Sequence, residues 1–281
     1  CMTCALAMLS FSSLSSIFLA GIANALFHVG GGVVSLRIDP GKAWAPGLFV
    51  APGVIGLTIG ILMGNNHAFV SWHFALLLLI GIILFLVTPV PDKMYKNTEK
   101  NNLDKRASLS IVMAVSVLFF VPVFVCSPVG IGVAFPWKTN TLLLALLVLA
   151  ISLGKGLGGF ISDHFGWIKV SVTGLVVSLP FFLLGSQYPA LGILGSGIFQ
   201  ITMPVTLVAI SLIFPSRPGF AFGLPCFALL LGALPIFTPL KGTIAEPAMI
   251  TLLVGLSVAA VWVGLYFVFK FFKSSVYEIK K

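Results

Sequence analysis

The chain has 281 residues, 59% hydrophobic and only 8% charged, with a mean hydropathy of +1.14. A soluble domain carries charge on about a quarter of its positions, so this composition excludes a water-facing globular surface, a disordered chain and an ordinary nucleic-acid binder. The solvent is lipid, and the net charge of +9 is to be read by position, as a record of orientation rather than of an anionic partner.

A membrane-spanning helix needs about 20 mostly apolar residues. Residues 1–11 read as the tail of an earlier span; they carry no basic n-region or cleavage signature, so they are not a signal peptide. Nine runs of sufficient length follow, at 14–36, 43–64, 69–89, 108–130, 140–162, 167–186, 190–213, 218–239 and 248–272. They predict an all-α polytopic membrane protein with nine full spans and a partial one. Cys1, Cys4, Cys126 and Cys226 sit in apolar surroundings without a second Cys pair or a histidine cluster, and read as span cysteines rather than a metal or redox site.

The connections alternate in charge. One set holds Arg37, Lys42, Lys93, Lys96, Lys100, Lys105 and Arg106, then Lys155, Lys169, Arg217, Lys270, Lys273, Lys280 and Lys281; the other holds only Lys138 and Lys241. The positive-inside rule makes the rich side cytoplasmic, with a cytoplasmic C-terminus. The expected organisation is an incomplete N-terminal bundle (1–89), a charged cytoplasmic linker (90–107), a six-helix C-terminal bundle (108–273) and a cytoplasmic tail (274–281).

The two parts are related. Sliding the chain by 176 residues lays the stretch from Gly21 over that from Gly197 without a gap, with identities at Gly21/Gly197, Ile22/Ile198, Val29/Val205, Ser35/Ser211, Leu36/Leu212, Ala45/Ala221, Gly47/Gly223, Leu48/Leu224 and Gly56/Gly232. The aligned spans are six apart, so the repeats share one orientation, a parallel six-span duplication of the kind transporters use. The same offset sets residue 1 opposite Val177, so the first repeat is expected to lack two spans and most of a third, as in an N-terminally truncated twelve-span protein.

The segment LGKGLGGFISDHFGWIK follows the second span of the second half and carries G-x-x-x-D-x-x-G-x-x-K as Gly159, Asp163, Gly166 and Lys169. Its glycines allow close helix approach, and Asp163 at a helix end is suited to a cation or a helix N-terminus. On this motif, its position and the duplicated bundles, the chain resembles the major facilitator superfamily of secondary transporters. The resemblance implies that the four motif residues form a conformational latch, with His164 where the family has a basic residue; a tight turn capped by Asp163 is the other reading. APGLFVAPGVIGLTIG, with Gly47, Pro52, Gly53 and Gly56, resembles a Gly/Pro motif of the family's antiporters, though Gly/Pro packing alone gives the same pattern.

Polar groups at membrane depth are costly and are functional candidates by default. Asn24 and His28 stand one turn apart with Phe27 and Gly31 on one stripe, and the offset lays Asn24 on Gln200, Phe27 on Met203 and His28 on Pro204. By resemblance these spans are the fourth and tenth of twelve, both lining the central cavity. Asn24, Phe27, His28, Met203 and Gln200 are therefore the expected substrate or proton-coupling residues, with His28, whose side chain titrates near neutral pH, as the proton carrier or as an interhelical hydrogen-bonding residue. His67 and His73 read as interfacial, and Phe119, Phe120 and Phe124 as cavity wall or lipid-facing. NALFHVGGG resembles fosmidomycin-resistance-type efflux proteins over one helix.

The expected function is alternating-access transport of a small organic solute, as proton-coupled efflux, by a monomer in the cytoplasmic membrane, with no catalytic residue, metal, cofactor or nucleic acid. A symporter, a transport-incompetent remnant and a noncatalytic membrane protein are the alternatives. An intramembrane enzyme would need paired acidic groups or H-E-x-x-H at depth, whereas Asp39, Asp163 and Glu246 lie at span ends.

Overall fold

The computed structural model describes residues 13–66, 71–87, 108–132 and 135–272. The stub at 1–11, the linker at 90–107, the tail at 274–281, His67 and the side chain of His73 lie outside the described residues. Within them the protein is helical throughout: α1 (Ser13–Ile38), α2 (Trp44–Asn65), α3 (Ser71–Val87), α4 (Leu109–Gly132), α5 (Thr141–Phe165), α6 (Trp167–Leu184), α7 (Pro189–Phe199), α8 (Thr202–Ile213), α9 (Pro218–Ala233), α10 (Leu240–Ile244) and α11 (Pro247–Phe271). Short 3-10 turns at Pro136–Thr139 and Leu234–Phe237 join α4 to α5 and extend α9.

Eight of the described helical stretches, with α7 and α8 counted as one, are long and apolar enough to cross a membrane. The protein is therefore a multi-pass membrane protein. The ninth expected span coincides with α3, whose described part is 17 residues long.

Helix ends follow local chemistry. Pro189, Pro218 and Pro247 each open a helix, where the missing N–H costs nothing. The Asn140 side chain accepts from the N–H groups of Leu142 and Leu143 and starts α5. Gly166, at φ +99°, separates α5 from α6 in a conformation closed to other residues.

The expected span at 190–213 is interrupted. Pro204 has no N–H to give the carbonyl of Gln200, so the chain tightens there instead: Met203 N–H donates to Gln200 O at 3.2 Å and Ile201 N–H to Ile198 O at 3.2 Å. The result is two half-helices, α7 and α8, that meet at Gln200 and Ile201. Buried residues make up 72% of this span against at most 39% in the other seven, which places it at the centre of the helix assembly.

Around that centre the most extensive interface is between α2 and α5, followed by those of α4 with α9 and α11 and of α7 with α5 and α6. Glycines set the approach. A Cβ on Gly154 would strike the backbone of Gly197, one on Gly158 would lie 2.7 Å from the backbone of Ile201, and one on Gly159 would strike the backbone of Ala43. Helix α5 is thereby wedged between α2 and the broken helix. Of the Gly/Pro stretch in α2, only Gly47 makes a comparable approach, 2.7 Å from the Lys155 carbonyl; Gly53 and Gly56 face open space.

One placement requires correction. Lys155, assigned above to the connecting loops by its charge, is inside α5 and within a membrane span. The apolar run continues through it to Phe165, which moves the true loop to Gly166.

Candidate functional site

A cavity of about 370 Å³ opens between α1, α2, α4, α5, the broken helix and α9. Asn24, His28, Gln200 and Met203 line it together, so the two amides related by the 176-residue offset share one space. Phe27 is not in its wall: half-exposed, it stands edge-on to His28 at 5.7 Å and against Phe49 at 5.7 Å. Phe119 is fully buried against Gly264, and Phe120 stacks on Phe124 beside the site rather than in its lining.

The helix break explains how Gln200 reaches the cavity while 94% of its surface is covered, its exposure being 6%. Its Oε1 accepts a hydrogen bond from Cys126 Sγ at 3.7 Å, and Gly130 leaves room beside its Nε2, which a Cβ would approach to 3.3 Å. Gln200 can thus offer a ligand the N–H groups of Nε2 and the second lone pair of Oε1.

His28 Nδ1 lies 3.0 Å from the carbonyl of Asn24. A carbonyl only accepts, so Nδ1 carries the hydrogen and Nε2 of the neutral ring holds the free lone pair. The ring is held between Phe27 and Phe49, whose centroid is 6.3 Å away. Phe49 in turn stands edge-on to Phe222 at 5.8 Å, and glycines make this possible: a Cβ on Gly31 would strike Phe49, and one on Gly32 would strike Phe222. An aromatic seam thus ties α1 to α2 and α9 directly beside the cavity.

Lys155 also lines the cavity, and sequence reasoning missed it as a site residue. The signal was present: the run at 140–162 encloses it, and an ionisable residue inside a span is a functional candidate. Cys126 and Cys226 are lining residues too.

The second constellation is at the end of the helices that carries Arg37, Lys42 and Lys169. Asp163 Oδ2 accepts from the N–H groups of Ala43 at 2.8 Å and Trp44 at 3.0 Å, while Oδ1 accepts from Trp167 Nε1 at 2.9 Å and from Ala43 N–H at 3.0 Å. The carboxylate therefore caps the N-terminus of α2, where unpaired N–H groups and the helix dipole favour negative charge. Trp44 Nε1 donates to Asp39 Oδ2 at 3.0 Å, and its ring stacks on Phe160 at 5.7 Å. Gly159 supplies the close approach and Gly166 the turn. Lys169 is exposed, and among the described residues it makes no ion pair with Asp163. His164 packs edge-on against Phe165 at 4.6 Å.

Among the described residues no group of three or more His, Cys, Asp or Glu side chains is placed to hold a metal ion. A scan against protein-family models gave no match, and neither did a search of curated proteins.

Proposed function

We propose that this protein is a secondary transporter of the major-facilitator type, moving a small organic solute across the cell membrane by alternating access, in the direction of proton-coupled efflux. The observation that carries the reading is the shared cavity. Asn24 and Gln200, equivalent under the internal repeat, face one space of about 370 Å³ at a broken helix, and small-molecule sites of this size with apolar walls and a few polar groups sit between repeats in such folds.

Three further features support it. Asp163 joins the second repeat to the start of α2 in the first through backbone N–H groups, a contact at the helix ends, where water can take over both the carboxylate and the N–H groups when it opens. His28 lines the cavity with its Nδ1 against the carbonyl of Asn24, and histidine is the side-chain type suited to carrying a proton. The charge distribution of the connections favours a cytoplasmic C-terminus, and removing Lys155 from that set leaves Lys138 and Lys241 alone against thirteen basic residues.

The test is flux. In proteoliposomes holding the protein with both six-span repeats, an imposed proton gradient is expected to drive movement of accepted solutes from a panel of labelled small organic compounds, and dissipating the gradient is expected to abolish the accumulation. Flux indifferent to the gradient would remove proton coupling; no flux for any compound together with unaltered cavity accessibility from both sides would remove the transporter reading.

A further inference from the structure

Lys155 is a cation near the middle of α5, partly accessible through the cavity it lines. A charge at that depth is retained where it is paired or serves a ligand. The chain has seven carboxylate side chains. Asp39, Asp163 and Glu246 stand at helix ends and none of these three lines the cavity, while Asp92, Glu99, Asp104 and Glu278 belong to the segments outside the described residues. Among the described residues Lys155 has neither an ion-pair partner nor a hydrogen bond. The other polar side chains of the lining are His28, Ser127, whose hydroxyl donates to Leu229 O at 2.8 Å, the thiols of Cys126 and Cys226, and the amides of Asn24 and Gln200, whose N–H₂ groups can donate to a ligand.

We propose that Lys155 anchors a negatively charged head group, and that the solute is a small organic anion of the carboxylate class. The ammonium supplies the counter-charge, the side-chain N–H groups of Asn24 and Gln200 donate to the same head group, and the apolar body packs against Leu57, Leu207 and Phe222. The apolar walls argue against a bare inorganic anion, which would lose its hydration there without replacement. This inference rests on the transporter reading and narrows its substrate.

The experiment uses the full chain in lipid nanodiscs with Cys1→Ser and Cys4→Ser, so that Cys126 and Cys226 of the cavity wall are the remaining thiols. Each is allowed to react with sulfonatoethyl methanethiosulfonate, an anion, or with its trimethylammonium analogue. The thiolate attacks the reagent's sulfenyl sulfur, a mixed disulfide forms and methanesulfinate leaves, so the mass gain counts the modified sites. The anionic reagent is expected to react about tenfold or more faster than the cationic one, because a single charge in an apolar cleft raises the local concentration of its counter-ion by that order. Lys155→Gln should bring the ratio to about one, Lys155→Arg should keep it, and benzoate, but neither benzamide nor chloride, should slow labelling.

A wild-type protein without charge preference, or a preference surviving Lys155→Gln, would overturn the anion assignment and leave the transporter reading standing. Protection by chloride equal to that by benzoate would overturn the organic part. No labelling by either reagent would mean a cavity closed to water on both sides and would overturn both. If Lys155→Gln is not monodisperse, the wild-type preference and the benzoate protection decide.

Discussion

Asp163 accepts a hydrogen bond from the backbone N–H of Ala43 at 2.8 Å across 120 residues of sequence. Because both oxygens of the carboxylate are engaged by donors from α2 and by Trp167, the contact senses whether α2 and α5 are together at this end. Charge-assisted bonds of this kind are worth on the order of 1.5–3 kcal/mol each when a partner is removed.

Asp163→Asn keeps one acceptor and turns an N–H₂ toward N–H donors. The expected outcome is a shift of the conformational balance toward states in which the two helix ends separate, by about 1–3 kcal/mol. A cysteine introduced at Phe160, which stacks on Trp44, reads this as faster alkylation; equal rates in the two backgrounds would dismiss the clamp.

Gly158 of α5 and Gly56 of α2 differ in what surrounds them. Gly158→Ala places a methyl group 2.7 Å from backbone atoms of Ile201, which cannot rotate away as a side chain could, and is expected to destabilise the protein by about 1–3 kcal/mol. Gly56→Ala meets nothing within 4 Å and is expected to leave the unfolding midpoint unchanged. Thermal unfolding of the two variants in the same detergent gives the comparison, and a neutral Gly158→Ala would refute the wedge.

His28→Gln retains hydrogen-bonding capacity but cannot carry a proton. Exchange of solute down its own gradient is expected to persist, while accumulation driven by a proton gradient falls to the uncoupled level. Loss of both activities together would indicate that the ring serves the packing of Phe27 and Phe49 rather than coupling.

Lys138, in the turn before α5, is held down to about 8 from 10.5, first by burial and second by the charge of Lys241. Between those values the unfolded chain binds a proton that the folded chain does not, so folding stability increases as pH rises from about 8 toward 10.5. The cation–π contact of Lys138 with Phe135, at 5.2 Å, offsets part of the burial cost below pH 8. Unfolding midpoints measured from pH 7.5 to 10 are expected to climb in the wild type relative to Lys138→Gln; parallel curves would show that the turn does not contribute.

Much of the architecture is legible without coordinates because lipid constrains sequence so strongly. Several span boundaries follow from run length and from Pro, Gly and Asn chemistry, as at Asn140, Gly166 and Pro218, whereas the break at Gln200 and the extension of α5 to Phe165 do not. Asn24 and Gln200, aligned by the repeat, both line one cavity. Lys155 shows where reading by charge misleads: a basic residue counts as a loop residue until the extent of the helix around it is known.

What the sequence determined by itself is that this chain lives in a membrane as a set of apolar helices, since hydropathy and run length act locally and backbone groups in lipid have no alternative to helix. Only the tertiary structure decided that the span around Gln200 is broken, that Asp163 serves the N-terminus of α2 rather than a cation, and that Lys155 faces the cavity rather than a loop. These outcomes depend on which helices meet and at what rotation. Pattern along one chain cannot encode that, because an almost uniformly apolar helix has no polar face to declare which side is turned inward.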